Sequence, residues 1–395
     1  MSEAQDEAPA VSGGIADGVH APVPRERMSP GARKMRDTYE MVPGAPLYRK
    51  EFGYYCLDEW KAQGMPQDVP HHELFDFDPP GKHSLSQLGW CEAAFSPAFE
   101  DKVVEERGEY EVVQDHAGRH VLVFKGRRSG FMPEYVDHPV KDMRTWEEDV
   151  RWRMDPATPA RYADLDQRMD AARQAAGQGM LITQNLIGGY MYLRGLAGPE
   201  DLLYMFHDAP DLIHACMATW FELADAVIAR HQEHVTIDEL YLAEDICYNH
   251  GPLISPAMMQ QFLAPYYQQL IDNLKARQID RDRHLYMQID TDGFADPVIP
   301  FYRSLGMDTM SPFEVAAGCD VVRSAEEYPD LIMLGGIDKR VLALTKGDID
   351  REVERILPPL RERGGFVPTS DHGVPAEVPY DNYLHYRKRC IELGG

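Results

Sequence analysis

The sequence has little cysteine and no cysteine-pairing signal. Its six cysteines, Cys56, Cys91, Cys216, Cys247, Cys319 and Cys390, are scattered over 395 residues, and none forms a CxxC clip. Sparse, irregular cysteines argue against a disulfide framework and for a reducing compartment. No basic stretch followed by an apolar one opens the chain, so no secretory signal is read. No apolar run approaches the roughly 18 residues of a membrane span. A cytoplasmic protein is expected. Positive charge is short as well: 40 Lys and Arg stand against 65 Asp and Glu, a formal net charge of −25. Such a surface repels phosphate backbones and anionic lipid headgroups, so neither nucleic acid nor membrane is expected as a partner. The expected partners are a small-molecule substrate and, for assembly, a second copy in a homodimer. The common motifs of three chemistries are missing too: no Walker loop, no GxGxxG after a strand and no GxSxG elbow. Phosphoryl transfer, hydride transfer and serine hydrolysis lose support.

What is present is organised in three stretches. Residues 1–30 are rich in Ala, Gly, Pro and Glu without an apolar period, and read as a flexible arm. A helix is expected after Ser29, where Pro30 suits the first turn, and APLYRKEFGYY reads as a first strand. Residues 60–150 break the alternation of strand and helix. They hold EYEVVQD and HVLVFKG around the short loop HAGR, a hairpin signal, with GFMPEYV as a possible third strand. This stretch reads as a β-rich insertion over one mouth of the main fold, within a single domain of residues 31–395.

From about residue 178, short apolar runs alternate with long amphipathic segments. The strand candidates are GMLITQNLIG, IDELYLAED, HLYMQID, DTMSP, LIMLGGID and GGFVPTSD. Helix candidates separate them, with apolar residues three and four apart. Repeated strand and helix imply a parallel sheet, doubly wound or closed. A (β/α)8 TIM barrel is favoured because the strand candidates end in polar residues, which a barrel gathers at one mouth.

Those ends carry the candidate chemistry: Glu244 and Asp245, then Tyr248, Asn249 and His250; Asp290 and Asp292 around Thr291; Glu314; Asp338; Asp371 and His372. Tyr190 follows the first of these strands in the run GGY. So many like charges in one mouth call for a bound cation or for raised pKa values. Asp290, Asp292 and His372 would make an O,O,N set suited to a divalent metal such as zinc. Singly, Asp290 or Asp338 could equally cap the next helix. His284 precedes its strand and reads as a surface histidine, and Cys247 as packing.

These residues resemble a known superfamily. LITQNLIGGYMYLRGLAGPEDLLYMFHDAPDLIHA is similar to the strand, glycine turn and helix pair of uroporphyrinogen decarboxylase-like proteins. GPLISPAMMQQFLAPYYQQLI resembles their L-S-P … F … P-Y helix, MLGGID their glycine-rich strand, and TSDHGVP their terminal [HC]-G-x-P signature. The resemblance runs over about residues 178–392. It implies a TIM barrel and one of two chemistries: decarboxylation of a tetrapyrrole without metal or cofactor, or zinc-dependent methyl transfer to a corrinoid. Asp290-Thr291-Asp292 stands where the methyltransferases carry His-x-Cys, and His372 where they carry a distal cysteine. The decarboxylases' arginine-bearing N-terminal loop has no match at Arg49.

The first expectation is therefore a metal-assisted methyltransferase passing a methyl group to a corrinoid on a partner protein. Asp290, Asp292 and His372 would hold the metal. Glu244 would be a fourth ligand or general base, alongside Asp292, His372 and Tyr248 as catalytic groups. Asn249, Glu314, Asp338 and Tyr190 would bind substrate. The second is a cofactor-free decarboxylase, with Arg194, Lys339 and Arg340 as the nearest cations for substrate carboxylates. The third is a non-catalytic binder of a corrinoid or tetrapyrrole.

Overall fold

A computed structural model describes residues 19–127 and 134–395. Its centre is a parallel sheet of seven strands. These are β1 (Lys82–Leu88), β6 (Leu181–Ile187), β7 (Glu239–Ala243), β10 (Tyr286–Asp290), β11 (Thr309–Ser311), β12 (Ile332–Ile337) and β13 (Phe366–Ser370), adjacent in that order. All pairings are parallel. Four further strands form an antiparallel sheet: β2 (Lys102–Arg107), β3 (Tyr110–Gln114), β4 (His120–Phe124) and β5 (Glu134–Asp137). A small ribbon pairs β8 (Cys247–Tyr248) with β9 (Gly251–Pro252).

The six strand candidates read from residue 178 onward all lie in the parallel sheet. Strands β12 and β13 are buried along their whole length, as continuous apolar runs in parallel sheets are. The glycine pair in β12 has a local cause. Gly335 and Gly336 have φ of +106° and +77°, and a Cβ on Gly335 would lie 2.0 Å from the Pro312 carbonyl oxygen. Only glycine lets β12 pass this close to the turn after β11.

Several expectations are corrected. The insertion is narrower than residues 60–150, because β1 belongs to the main sheet. Its alternation of Lys82, Ser84 and Gln87 with buried Leu85 and Leu88 hid it among polar residues. The segment APLYRKEFGYY is not a ladder strand; it runs extended and makes one parallel bridge, Tyr54 to Val374. Residues 1–18 of the expected arm, and 130–133 of GFMPEYV, lie outside the described residues. The rest of the arm is docked: Thr236 N donates to the Val19 carbonyl and Val23 is buried. The helix after Ser29 is Pro30–Tyr39, with the Ser29 hydroxyl accepting from Ala32 N. PAMMQQFLAPYYQQLIDNLKARQ splits into Pro256–Phe262 and Ala264–Arg277, the break at Leu263 preceding Pro265 by two residues. The helix Pro210–Gln232 is apolar enough in length and composition to cross a membrane. Here it buries Leu212, Met217, Trp220, Leu223 and Val227 in the core and spends its hydrophobicity there.

Candidate active site

The turns after β7 and β10 are sewn together by one hydroxyl. Thr291 Oγ1 accepts from Ile246 N at 3.1 Å and Cys247 N at 3.2 Å, while Glu244 N donates to the Asp290 carbonyl at 2.8 Å. Thr291 is fully buried. With the middle residue locked inward, the flanking Asp290 and Asp292 are left facing the space beyond the strand ends. Gly293 closes the turn with φ +77°, and a Cβ there would meet the Tyr248 carbonyl at 2.7 Å. The Glu314 carboxylate then accepts from Gly293 N at 2.9 Å.

Asp245, Asp290, Asp292 and His372 line one cavity of about 630 Å³. Its walls are Phe52, Tyr55, Trp90, Tyr135 and Met191, and its cations are Arg119 and Arg194. His372 Nε2 lies 3.2 Å from the Asp292 carboxylate, and the Phe52 ring packs against the imidazole at 5.2 Å. The bond to Asp292 lifts the His372 pKa above the ordinary 6.5 against the opposing effect of burial. Asp290 accepts from the Ser311 hydroxyl. Burial, reinforced by the negative charges of Asp292 and Asp245, pushes its pKa up to about 6. Asp245 holds Arg194 at 2.5 Å.

A second cavity, of about 870 Å³, lies along the sheet interior and shares the walls Phe52 and Trp90 with the first. Lys50, Lys82, Glu239, Tyr241 and Gln288 face it. Lys82 is held by Glu239 at 2.8 Å, and Tyr39 and Thr183 bond to the same carboxylate.

The structure brings Asp290, Asp292, His372 and Arg194 together and moves the other candidates elsewhere. Glu244 is buried behind the wall. It accepts from Tyr267 OH at 2.7 Å and from Tyr190 N at 3.2 Å, so it caps the helix Gly189–Ala197, and burial pushes its pKa up to about 7. It serves neither as fourth ligand nor as a base facing the cavity. Tyr190 is itself fully buried, off both cavity walls. Tyr248 and Asn249 are exposed on the ribbon, outside both cavities, because β8 and β9 carry the chain away from the sheet. Asp338 is occupied by its own neighbour, accepting from Arg340 N and Nε at 2.9 Å each. Glu314 supports the Asp292 turn from behind, and Lys339 lies 3.8 Å from it and 3.9 Å from Asp371. His284 is a surface histidine paired with Asp308, and Cys247 is buried packing.

The donor set for a metal is not assembled. Among the described residues no three His, Cys, Asp or Glu side chains group so as to hold an ion. Asp292 and His372 are bonded to each other, and Asp290 is turned to Ser311. These residues do not fit a preformed zinc site, which needs converging ligands at about 2.0–2.3 Å.

Sequence reasoning missed the residues the insertion supplies. Arg119, Tyr135 and His138 come from the residue before β4, from β5 and from the residue after β5. Arg119 is buried, bonding Asp115 at 2.8 Å and Glu92 at 3.0 Å. No local pattern distinguishes such an arginine from a surface one. Asp245, with φ +42°, was read among the strand-end carboxylates, and it lines this cavity.

The uroporphyrinogen decarboxylase (URO-D) family model matches residues 172–392. A curated uroporphyrinogen decarboxylase from Citrifermentans bemidjiense is 28% identical over 138 residues, covering 33% of this chain and 35% of that protein. One from Geotalea daltonii is 26% identical over 144 residues, covering 34% and 37%. The chain thus spans little more than a third of the length of these curated relatives. Among solved structures, a methyltransferase from Methanosarcina mazei superposes with a TM-score of 0.57 at 14% identity, over 92% of this chain and 99% of that one. At that identity the likeness speaks to fold.

Proposed function

The chain belongs to the uroporphyrinogen decarboxylase (URO-D) family, and from that premise we propose that it is a carboxy-lyase acting on a small carboxylic acid. The observation that carries this is the Asp292–His372 pair inside an aromatic-walled cavity. A histidine with a raised pKa keeps its proton to higher pH than a free imidazole and can donate it. Loss of CO2 leaves an electron pair on carbon, and the reaction is completed by a proton delivered there. Arg119 and Arg194 provide cations for the carboxylate before it leaves. The aromatic walls weaken its solvation. The cavity thus supplies a proton donor and two cations, and the electron pair left on carbon requires a substrate that can itself delocalise it; the candidate metal ligands Asp292 and Asp290 are bonded to His372 and Ser311.

The parallel sheet is taken to close as a (β/α)8 barrel, with the extended segment 47–55 in the eighth position. The Tyr54–Val374 bridge supports this. So does one buried cluster that joins Tyr48 to Leu181 of β6, Leu334 of β12 and Val367 of β13, far apart in strand order.

A second reading is methyl transfer to a corrinoid on a partner protein. The cavity carboxylates Asp245, Asp290 and Asp292 favour it, because they suit a methylated ammonium substrate better than a polyanion. The test is incubation of the purified protein with a panel of small carboxylic acids, with and without chelator. CO2 release that survives chelation supports the lyase. Demethylated product formed only when a corrinoid protein is added would replace it with the second reading. Ligand binding without turnover under either condition would favour a non-catalytic binder.

A further inference from the structure

The interior cavity contains a lysine that the proton-donor reading leaves unused. Lys50 lines that cavity and keeps part of its surface open to it. Among the described residues its ammonium group makes no hydrogen bond and no ion pair. The carboxylates around it are committed elsewhere. Glu51 accepts from Ser370 N at 2.8 Å and Tyr383 OH at 3.0 Å. Glu239 is held by Lys82, Tyr39 and Thr183. Asp290 accepts from Ser311, and Asp78 from Lys34 at 2.7 Å and Arg49 N at 2.6 Å. The remaining titratable groups lining the cavity are His72, Tyr48, Tyr54 and Tyr241. A lysine normally finds a partner or stands in open solvent; this one has no partner among the described residues and only part of its surface is accessible, toward the cavity.

We propose that Lys50 is a nucleophilic amine that captures an aldehyde or ketone as an imine within the interior cavity. Burial, followed by the like charge of Lys82, lowers the Lys50 pKa from the ordinary lysine value, so a larger fraction is free amine near neutrality. The Nζ lone pair attacks the carbonyl carbon and the C=O π electrons pass to oxygen. That oxygen takes one proton from the nitrogen and one from a donor and leaves as water, and the C=N bond forms. No oxidant or reductant is consumed. If the captured compound carries a carboxylate on the carbon next to the carbonyl, the C–CO2 bond can break with its electron pair passing into the iminium. A proton then adds at carbon, and water releases the ketone and restores the amine. This would narrow the substrate of the proposed lyase to carbonyl acids. The amine chemistry itself does not depend on CO2 release.

The test uses the full-length protein, benzaldehyde as the probe and cyanoborohydride to fix any imine, with peptide mass spectrometry as readout. At about pH 7.5, Lys50 is expected to be benzylated about tenfold or more faster than exposed Lys388, and the advantage to shrink near pH 10 as surface amines deprotonate. Lys50→Arg, with folding checked by circular dichroism, should abolish the fast-labelled peptide and leave the rest of the pattern unchanged. Labelling of Lys50 no faster than Lys388 at about pH 7.5, or fast labelling that persists on another lysine in Lys50→Arg, overturns the proposal. The readout needs no turnover. Failure here leaves the Asp292–His372 reading standing, and absence of CO2 release leaves the amine standing.

Discussion

Asp290 and Asp292 flank a single threonine, yet their surroundings give them different characters. Asp290 is desolvated against Ser311, while Asp292 reaches His372. Asp292→Asn removes the bond that holds the His372 proton. The expected outcome is a pH–rate profile whose alkaline limb moves down toward or below the ordinary histidine value of 6.5, with kcat lowered about 10–100-fold at neutral pH. An unchanged limb would separate His372 from the chemistry. Glu244 makes a prediction about stability instead. Its pKa rises from 4.5 to about 7 on folding. The folded state therefore holds a proton that the unfolded state has lost between those values, and the stability it contributes falls as pH rises through about 7. Asp290, raised from 3.8 to about 6, acts in the same sense. Glu244→Gln should flatten the decline of Tm between pH 4.5 and 7; a decline as steep as in the parent protein would contradict it. At this scale the sequence was partly legible. The Asp-x-Asp turn and His372 stood out by position after strands. The burial of Glu244 behind Gly188 did not, because no local pattern tells which way a side chain turns past a strand end.

At the scale of elements, legibility followed burial. Strands buried on both faces read as apolar runs, and all six from residue 178 onward were found. β1 was not, because Lys82 and Ser84 face a polar interior cavity and left the strand without an apolar run, inside the stretch read as an insertion. The glycines of β12 were visible as MLGGID, but their cause was not. Gly335→Ala places a methyl group on the Pro312 carbonyl at a positive φ. It should cost more than about 2 kcal/mol in urea unfolding. Gly347→Ala, where the added carbon meets only the tips of Arg351 and Thr345 at 3.8 Å, should cost under about 0.5 kcal/mol.

Over the whole molecule, the parallel sheet supplies the acidic turns, and the antiparallel sheet and the extended segment before β1 supply aromatic cover and cations. Arg119 joins the two, pinned to Asp115 and Glu92 and packed over the Tyr135 ring at 5.1 Å. Arg119→Lys loses the two-pronged grip and should raise KM about tenfold with little change in kcat. A loss in kcat alone would place Arg119 in the chemical step. Contacts like these join residues far apart in sequence, so the fold was legible from its periodicity while half of the cavity wall was not.

The central claim is that His372, held by Asp292, delivers a proton to the carbon that has lost CO2. Turnover of an accepted carboxylic acid in D2O, with chelator present, tests it most directly. The account predicts one deuteron in the product for each CO2 released, and a fall in kcat of about 10²–10⁴ in His372→Gln. Turnover that stops on chelation and returns with zinc, or His372→Gln that keeps the parent rate, would contradict it.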